Sequence, residues 1–331
     1  LIAVFIKRSP LNVLLLLLVA VVVKIPLFST PRLPETSSLD GAIYSTLLAW
    51  LQQTGIGTPL FFSVLSFVIL FSQALLLNFF CSQQKMLNRS TDLPGMAYLL
   101  LTSFFPQWSY VSSSMLMNLV ILSLLFLLFK LYNRSEVRAA LFNMGLLIGA
   151  SYFLYKPSFL LVLWVLPAIA LMRPFSLQEW VLTLIGLVTP FYFFGIWLFM
   201  TDQWPIHSLS VFVEYAIPRF APIAFWIGGA LLLLVVPLLA GLYYVQDNTR
   251  KMLIQVRRGW SVLFFLLVLT ALMGLFQVGS QSGWMLLLIP LVFYHACFYS
   301  LSTFRMFPLL VFWLTFFYIL AVQFSGSGWK I

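Results

Sequence analysis

Residues 11–23 read LNVLLLLLVAVVV, an apolar run broken by a single polar side chain, Asn12, and closed by Lys24-Ile25-Pro26. A run this long lacks the alternation of a strand and reads as a helix that is hydrophobic all round, the pattern of a membrane span. Lys7 and Arg8 stand before it as in a secretory signal peptide, but no small-x-small cleavage pattern follows, so the run is expected to be retained as a first span. Similar runs of Leu, Val, Ile and Phe recur along the 331 residues, 62% of which are hydrophobic and 8% charged, against roughly 45–50% and 25% in a soluble domain. Mean hydropathy is +1.04. Backbone groups in hydrocarbon must be satisfied internally, which leaves helices or closed barrels, and barrel strands would alternate. The expected fold class is an all-α, polytopic integral membrane protein.

Allowing about 17–25 apolar residues per span and fewer for half-buried helices, helices are expected near 11–29, 59–80, 94–108, 112–131, 139–155, 158–172, 181–200, 224–245, 260–276, 284–300 and 306–323. These make about eleven transmembrane or half-buried helices in a single domain over 1–331, the segments 94–108 and 158–172 being the short ones. With the N-terminus inside, thirteen of the 18 lysines and arginines fall in cytoplasmic segments and five outside, Lys24, Arg32, Lys156, Arg219 and Lys330. That orientation puts the C-terminus outside.

The net charge of +10 is scattered between spans rather than gathered on a soluble face, so nucleic acid is not an expected partner. Membrane lipids are, with Arg250, Lys251, Arg257 and Arg258 against anionic headgroups. Trp50, Trp108, Trp180, Trp204, Trp260 and Trp284 fall near span ends, where indole serves as an interfacial anchor. Cys81 and Cys297 are expected to be free structural thiols.

Two external segments exceed the tight connections elsewhere: 30–58, in which Gly41–Gln53 has apolar residues at helical spacing suited to an interfacial helix, and 201–223. Asp40 directly precedes the first of these helices. An aspartate there suits a helix cap, and equally a catalytic or ligand-binding carboxylate. Lys156, in Tyr155-Lys156-Pro157, is placed either to snorkel or to meet an anionic headgroup. Arg219 is placed to clamp a phosphate or to pair with Glu214, and His207 is an acid or base near neutral pH. No Walker A, GxGxxG, CxxC, HExxH or Gly-x-Ser-x-Gly sequence occurs. Nucleotide binding, zinc chemistry and hydrolase triads therefore lack support. No cofactor is implied, and a divalent metal requirement is left open.

Three local features resemble the GT-C superfamily of membrane glycosyltransferases: Asp40 with Tyr44 following in the first external loop; the bent helix pair Met96 to Leu131 through Pro106-Gln107-Trp108-Ser109-Tyr110; and Ala140 to Ser158, a glycine-containing span ending at basic Lys156. The resemblance covers about the first 200 residues. It implies a GT-C-like arrangement, a polyprenyl-phosphate sugar donor used on the non-cytoplasmic face, Asp40 as catalytic base with Tyr44 beside it, and Lys156 at the donor phosphate; beyond the stretch of resemblance, Arg219 is expected to join Lys156 there through its guanidinium, and His207 and Glu214 are further candidate binding residues. The whole chain also looks like an uncharacterised family of polytopic membrane proteins from Bacteroidota, through Leu93-Pro94-Gly95-Met96, Arg173-Pro174-Phe175 and Thr189-Pro190-Phe191-Tyr192. That implies a bacterial inner membrane with a periplasmic C-terminus.

Two other readings compete. One is a structural or assembly subunit of an envelope complex, with other membrane proteins as partners, suggested by small-residue stretches such as Leu146 to Ser151 that suit helix packing. The other is a transporter, for which the spans offer only Asn118, Asn143 and His295 as interior polar groups, and no broken helix is expected near the midplane.

Overall fold

The computed structural model describes residues 2–6, 9–87, 89–132, 134, 136–202, 225–276, 281–302 and 306–324. Fourteen α-helices account for most of them: α1 (Ile2–Phe5), α2 (Pro10–Val23), α3 (Ile25–Ser29), α4 (Ala42–Gln53), α5 (Pro59–Gln83), α6 (Leu93–Leu101), α7 (Ser113–Lys130), α8 (Arg138–Ser151), α9 (Val162–Met172), α10 (Leu177–Met200), α11 (Phe225–Asn248), α12 (Ile254–Phe276), α13 (Leu288–Leu301) and α14 (Met306–Phe324). Among the described residues the only strand-like pairing is an isolated bridge between Asp40 and Tyr155.

Among the described residues six helices are long and apolar enough to cross a membrane: Pro59–Gln83, Ser113–Lys130, Leu177–Met200, Ile227–Lys251, Ile254–Leu275 and Gly283–Leu301. Leu11–Val23, Lys156–Met172 and Met306–Val322 are shorter apolar helices. The chain is thus an all-α membrane protein. Each of the eleven expected transmembrane or half-buried segments falls on helical structure, and six of them have the length and apolarity of a full span.

Sequence explains the boundaries. Thr58 caps α5 by accepting from the Phe61 amide at 3.2 Å, and Pro59 follows at the first helical position, where its missing N–H costs nothing. Helix α4 stops at Gly55, whose φ of +71° is the left-handed conformation that glycine adopts without strain. Helix α6 is cut to nine residues because the Thr102 and Ser103 hydroxyls turn back onto the Leu99 carbonyl, at 3.1 and 2.8 Å. Pro106 then disfavours helical geometry at Phe105. The expected helix 94–108 is therefore broken, with buried irregular backbone between Leu101 and a 3-10 turn at Pro106–Trp108. The bend expected through residues 106–110 thus begins earlier, at Thr102, than the expected end of that helix at 108. Segment 158–172 likewise begins as a 3-10 turn, Lys156–Leu161, before α9.

One hydrophobic cluster runs through the bundle, and a smaller one joins Tyr44 and Leu48 of α4 to Phe62 and Val111. The tightest helix pair is α8 with α10. A Cβ on Gly145 would lie 1.9 Å from the Thr183 carbonyl oxygen, one on Gly149 2.3 Å from that of Leu187, and one on Gly186 2.3 Å from that of Phe142. The register rises together, so the helices run parallel with their backbones in direct contact, the use of small residues expected between membrane helices.

Several polar side chains inside the bundle form a connected set of hydrogen bonds. Tyr98 donates to Gln73, whose amide donates to the Met115 carbonyl at 2.8 Å; Asn118 donates to the Tyr98 hydroxyl and, at 3.2 Å, to the Met285 carbonyl. His295 meets the Leu234 carbonyl at 3.0 Å, three residues before the helix-interior Pro237. A carbonyl only accepts, so the Nε2 atom of His295 carries the proton. Asn143, by contrast, is exposed. Trp108 and Trp260 are buried in the core, each 4% exposed, and are packing residues rather than the interfacial anchors expected. Trp50 is exposed, while Trp204 lies outside the described residues. Cys81 and Cys297 are both free and buried.

Candidate functional site

Asp40 stands where three parts of the chain meet: the segment after α3, the start of α7 and the end of α8. The Gly41 amide donates to the Leu154 carbonyl at 2.9 Å, and the Lys156 amide returns a bond to the Leu39 carbonyl at 3.0 Å. Glycine is required at 41 because a Cβ there would sit 2.2 Å from the Phe153 carbonyl. That contact orients α4. The Ile43 amide donates to the Phe153 carbonyl at 2.9 Å, so a distant chain segment satisfies the helix start.

Asp40 is accordingly not the cap of α4. The N-cap is Gly41, and no side chain caps the helix. The carboxylate turns the other way: Oδ2 accepts the Ser37 amide at 2.7 Å, and Oδ1 accepts the Ser113 hydroxyl. Ser113 is the first residue of α7, behind the N-cap Ser112, which accepts the Met115 amide at 3.2 Å. The negative charge therefore sits by the positive end of the α7 dipole. Among the described residues no lysine or arginine pairs with it; the ion pair there is Arg173–Glu179.

Two further expected residues join Asp40. Lys156 is half-buried and donates from Nζ to the Ser38 carbonyl at 2.8 Å, a neutral partner that leaves its charge uncompensated. Tyr44 is 1% exposed and donates to the Val111 carbonyl at 3.4 Å. Burial, and secondarily the charge on Asp40, raises the Tyr44 phenol above its ordinary value, so it remains a neutral donor. His207, Glu214 and Arg219 lie outside the described residues. Among the described residues no three His, Cys, Asp or Glu side chains gather as a metal site.

Lys24 is a member of this neighbourhood that sequence reasoning treated as a simple flank. It is 2% exposed, and its ammonium donates to the Thr102 carbonyl at 2.9 Å and the Ser109 hydroxyl at 2.8 Å. Arg32 stacks over Tyr110, 5.6 Å from the ring centre, and the Tyr110 hydroxyl donates to the Thr30 carbonyl at 3.0 Å. A signal was present: a lysine inside an apolar run, with a Thr-Ser pair and Ser109 flanking the later proline.

The arrangement presents a carboxylate held by neutral donors beside a cation held by a neutral acceptor. It can accept a proton from a hydroxyl and attract an anionic group. No family model matches the chain, and no curated protein or solved structure matches it.

Proposed function

We propose that this membrane protein is a GT-C-type glycosyltransferase that moves a sugar from a polyprenyl-phosphate donor to an acceptor hydroxyl. The observation that carries the reading is the meeting of Asp40, Tyr44 and Lys156, from segments far apart in sequence, at one corner of the bundle. Oδ1 of Asp40 already accepts an O–H from Ser113, the bond that an acceptor hydroxyl would make. In the proposed step Asp40 takes the acceptor proton as the acceptor oxygen bonds to the anomeric carbon. The bond from that carbon to the phosphate oxygen breaks, and the polyprenyl phosphate leaves with the electron pair. Lys156 supplies positive charge to that phosphate, a role that guanidinium chemistry also offers Arg219. The orientation expected from charge distribution, N-terminus inside, and the bacterial inner membrane and periplasmic face that the resemblances imply belong to this proposal, with several shorter helices completing the spans.

A second reading, a non-enzymatic assembly subunit, is favoured by one observation: both carboxylate oxygens of Asp40 and the ammonium of Lys156 already tie chain segments together, as a structural clasp would.

The deciding experiment is sugar transfer by purified protein in liposomes from a labelled polyprenyl-phosphate hexose, comparing wild type with Asp40→Asn at equal folded fraction. Transfer by wild type that is lost in the variant supports the enzyme. No transfer by either, across several donors and acceptors, favours the assembly subunit, whose partner is then sought by mild detergent extraction.

A further inference from the structure

We infer that Lys24 is a positioning residue for Asp40, acting through residues 102–113; in its catalytic consequence this rests on the glycosyltransferase reading above. The loop that follows the break in α6 opens at Thr102 and turns back toward α7 at Ser109. Lys24 bonds both points, and the Ser109 hydroxyl itself donates to the Thr102 carbonyl at 3.2 Å, so the ammonium staples the mouth of the loop. Thr102 is the C-cap of α6, where exposed carbonyls and the negative end of the dipole attract a cation. From Ser109 onward every few residues touch the site. The Ser109 carbonyl accepts the Ser66 hydroxyl, the Val111 carbonyl accepts Tyr44, Ser112 caps α7, and Ser113 donates to Asp40.

Lys24 touches neither Asp40 nor Tyr44 in any of its bonds, yet it fixes the backbone that holds both. A buried ammonium bonded only to neutral groups is costly to keep, and in a membrane protein such a residue marks function more often than packing. Misplacement of a reacting group by about 1 Å lowers turnover by as much as about 100-fold.

Two variants test the inference, Lys24→Met and Ser109→Ala, the second leaving the lysine in place should the first fail to fold. In liposomes at matched folded fraction, kcat for sugar transfer is expected to fall about 10- to 100-fold with KM within about two-fold, because the site is misaligned rather than its binding surface removed. A purely structural lysine would lower kcat only in proportion to folded protein. The second readout needs no activity. The thermal midpoint is measured for Lys24→Met, Ser113→Ala and the double variant, and repeated with Ser109→Ala in place of Lys24→Met. Groups that share no partner give additive shifts, whereas coupling through 102–113 makes the double shift smaller than the sum. Additive shifts together with unchanged kcat overturn the inference. Coupled shifts with no transfer by wild type uphold the staple and reject the glycosyltransferase reading instead.

Discussion

Where α7 and α9 finish, Arg173 bonds the Leu131 carbonyl at 3.0 Å and the Arg134 carbonyl, and pairs with Glu179 at 3.2 Å; Arg258 bonds the Met172 carbonyl at 3.1 Å. Where α7 begins, Asp40 is held by Ser37 and Ser113 without a cation. Both arrangements follow the helix dipole, cations at C-termini and an anion at an N-terminus. They differ in what is left over. Arg173 has one counter-charge and two backbone carbonyls, that of Leu131 at the end of α7 and that of Arg134 in the connection to α8, so its charge is spent on holding α7 to α10. Asp40 and Lys156 each bond only neutral groups, so neither charge at that corner has a bonded counter-charge, and both are left for the proposed reaction to use.

The largest expected effect breaks that contrast at Asp40. Asp40→Asn is expected to reduce sugar transfer at least about 100-fold, the scale of a lost general base, while changing unfolding stability by less than about 1 kcal/mol because an amide oxygen still accepts one of the two bonds. Transfer that survives the substitution would place both ends in the same structural class. Next is Arg173→Met, expected to destabilise by about 3 kcal/mol through an unpaired Glu179 and two bare carbonyls, with turnover per folded molecule unchanged. Denaturation in detergent and the liposome assay separate those two quantities.

A pH experiment sharpens the picture. The Tyr44 phenol is raised in the folded protein by burial and by Asp40, so its contribution to stability is full below the unfolded tyrosine value of about 10 and is lost as pH climbs toward the higher folded value. Between about pH 9 and 11 wild type is expected to lose stability faster than Tyr44→Phe, the difference reading Tyr44 apart from other tyrosines; parallel curves would remove it from the buried corner. Smallest is Ser113→Ala, expected to cost about 1 kcal/mol for one hydrogen bond, measured by thermal midpoint.

Apolar runs made the helices legible, because a side chain's partition into hydrocarbon depends on its own chemistry. Residues 41–53 were readable as a helix for the same reason, and α4 starts one residue later. The cap was not readable: the position before α4 favours aspartate locally, but the Phe153 carbonyl, brought from the end of α8, satisfies the helix start and frees Asp40 for Ser113. Lys24 was misread because hydropathy counts a lysine as the edge of a span, whereas here the C-terminus of a broken helix receives its ammonium. The break itself comes from Thr102 and Ser103 back-bonding to Leu99, a choice that composition leaves open. The companionship of Asp40 and Lys156 depends on a tertiary bridge and entered the sequence reading only through resemblance.

The glycine seam between α8 and α10 also bears on how the chain is made. The two helices run parallel, so α9 must carry the chain back across before α10 can lie alongside its partner. The seam can therefore form only once α10 has been made, and it leaves no room for a methyl group at Gly145 or Gly149. The end of α8 carries Phe153 and Leu154, whose carbonyls seat α4. The corner holding Asp40 is thus braced from behind only once the chain has grown through α10.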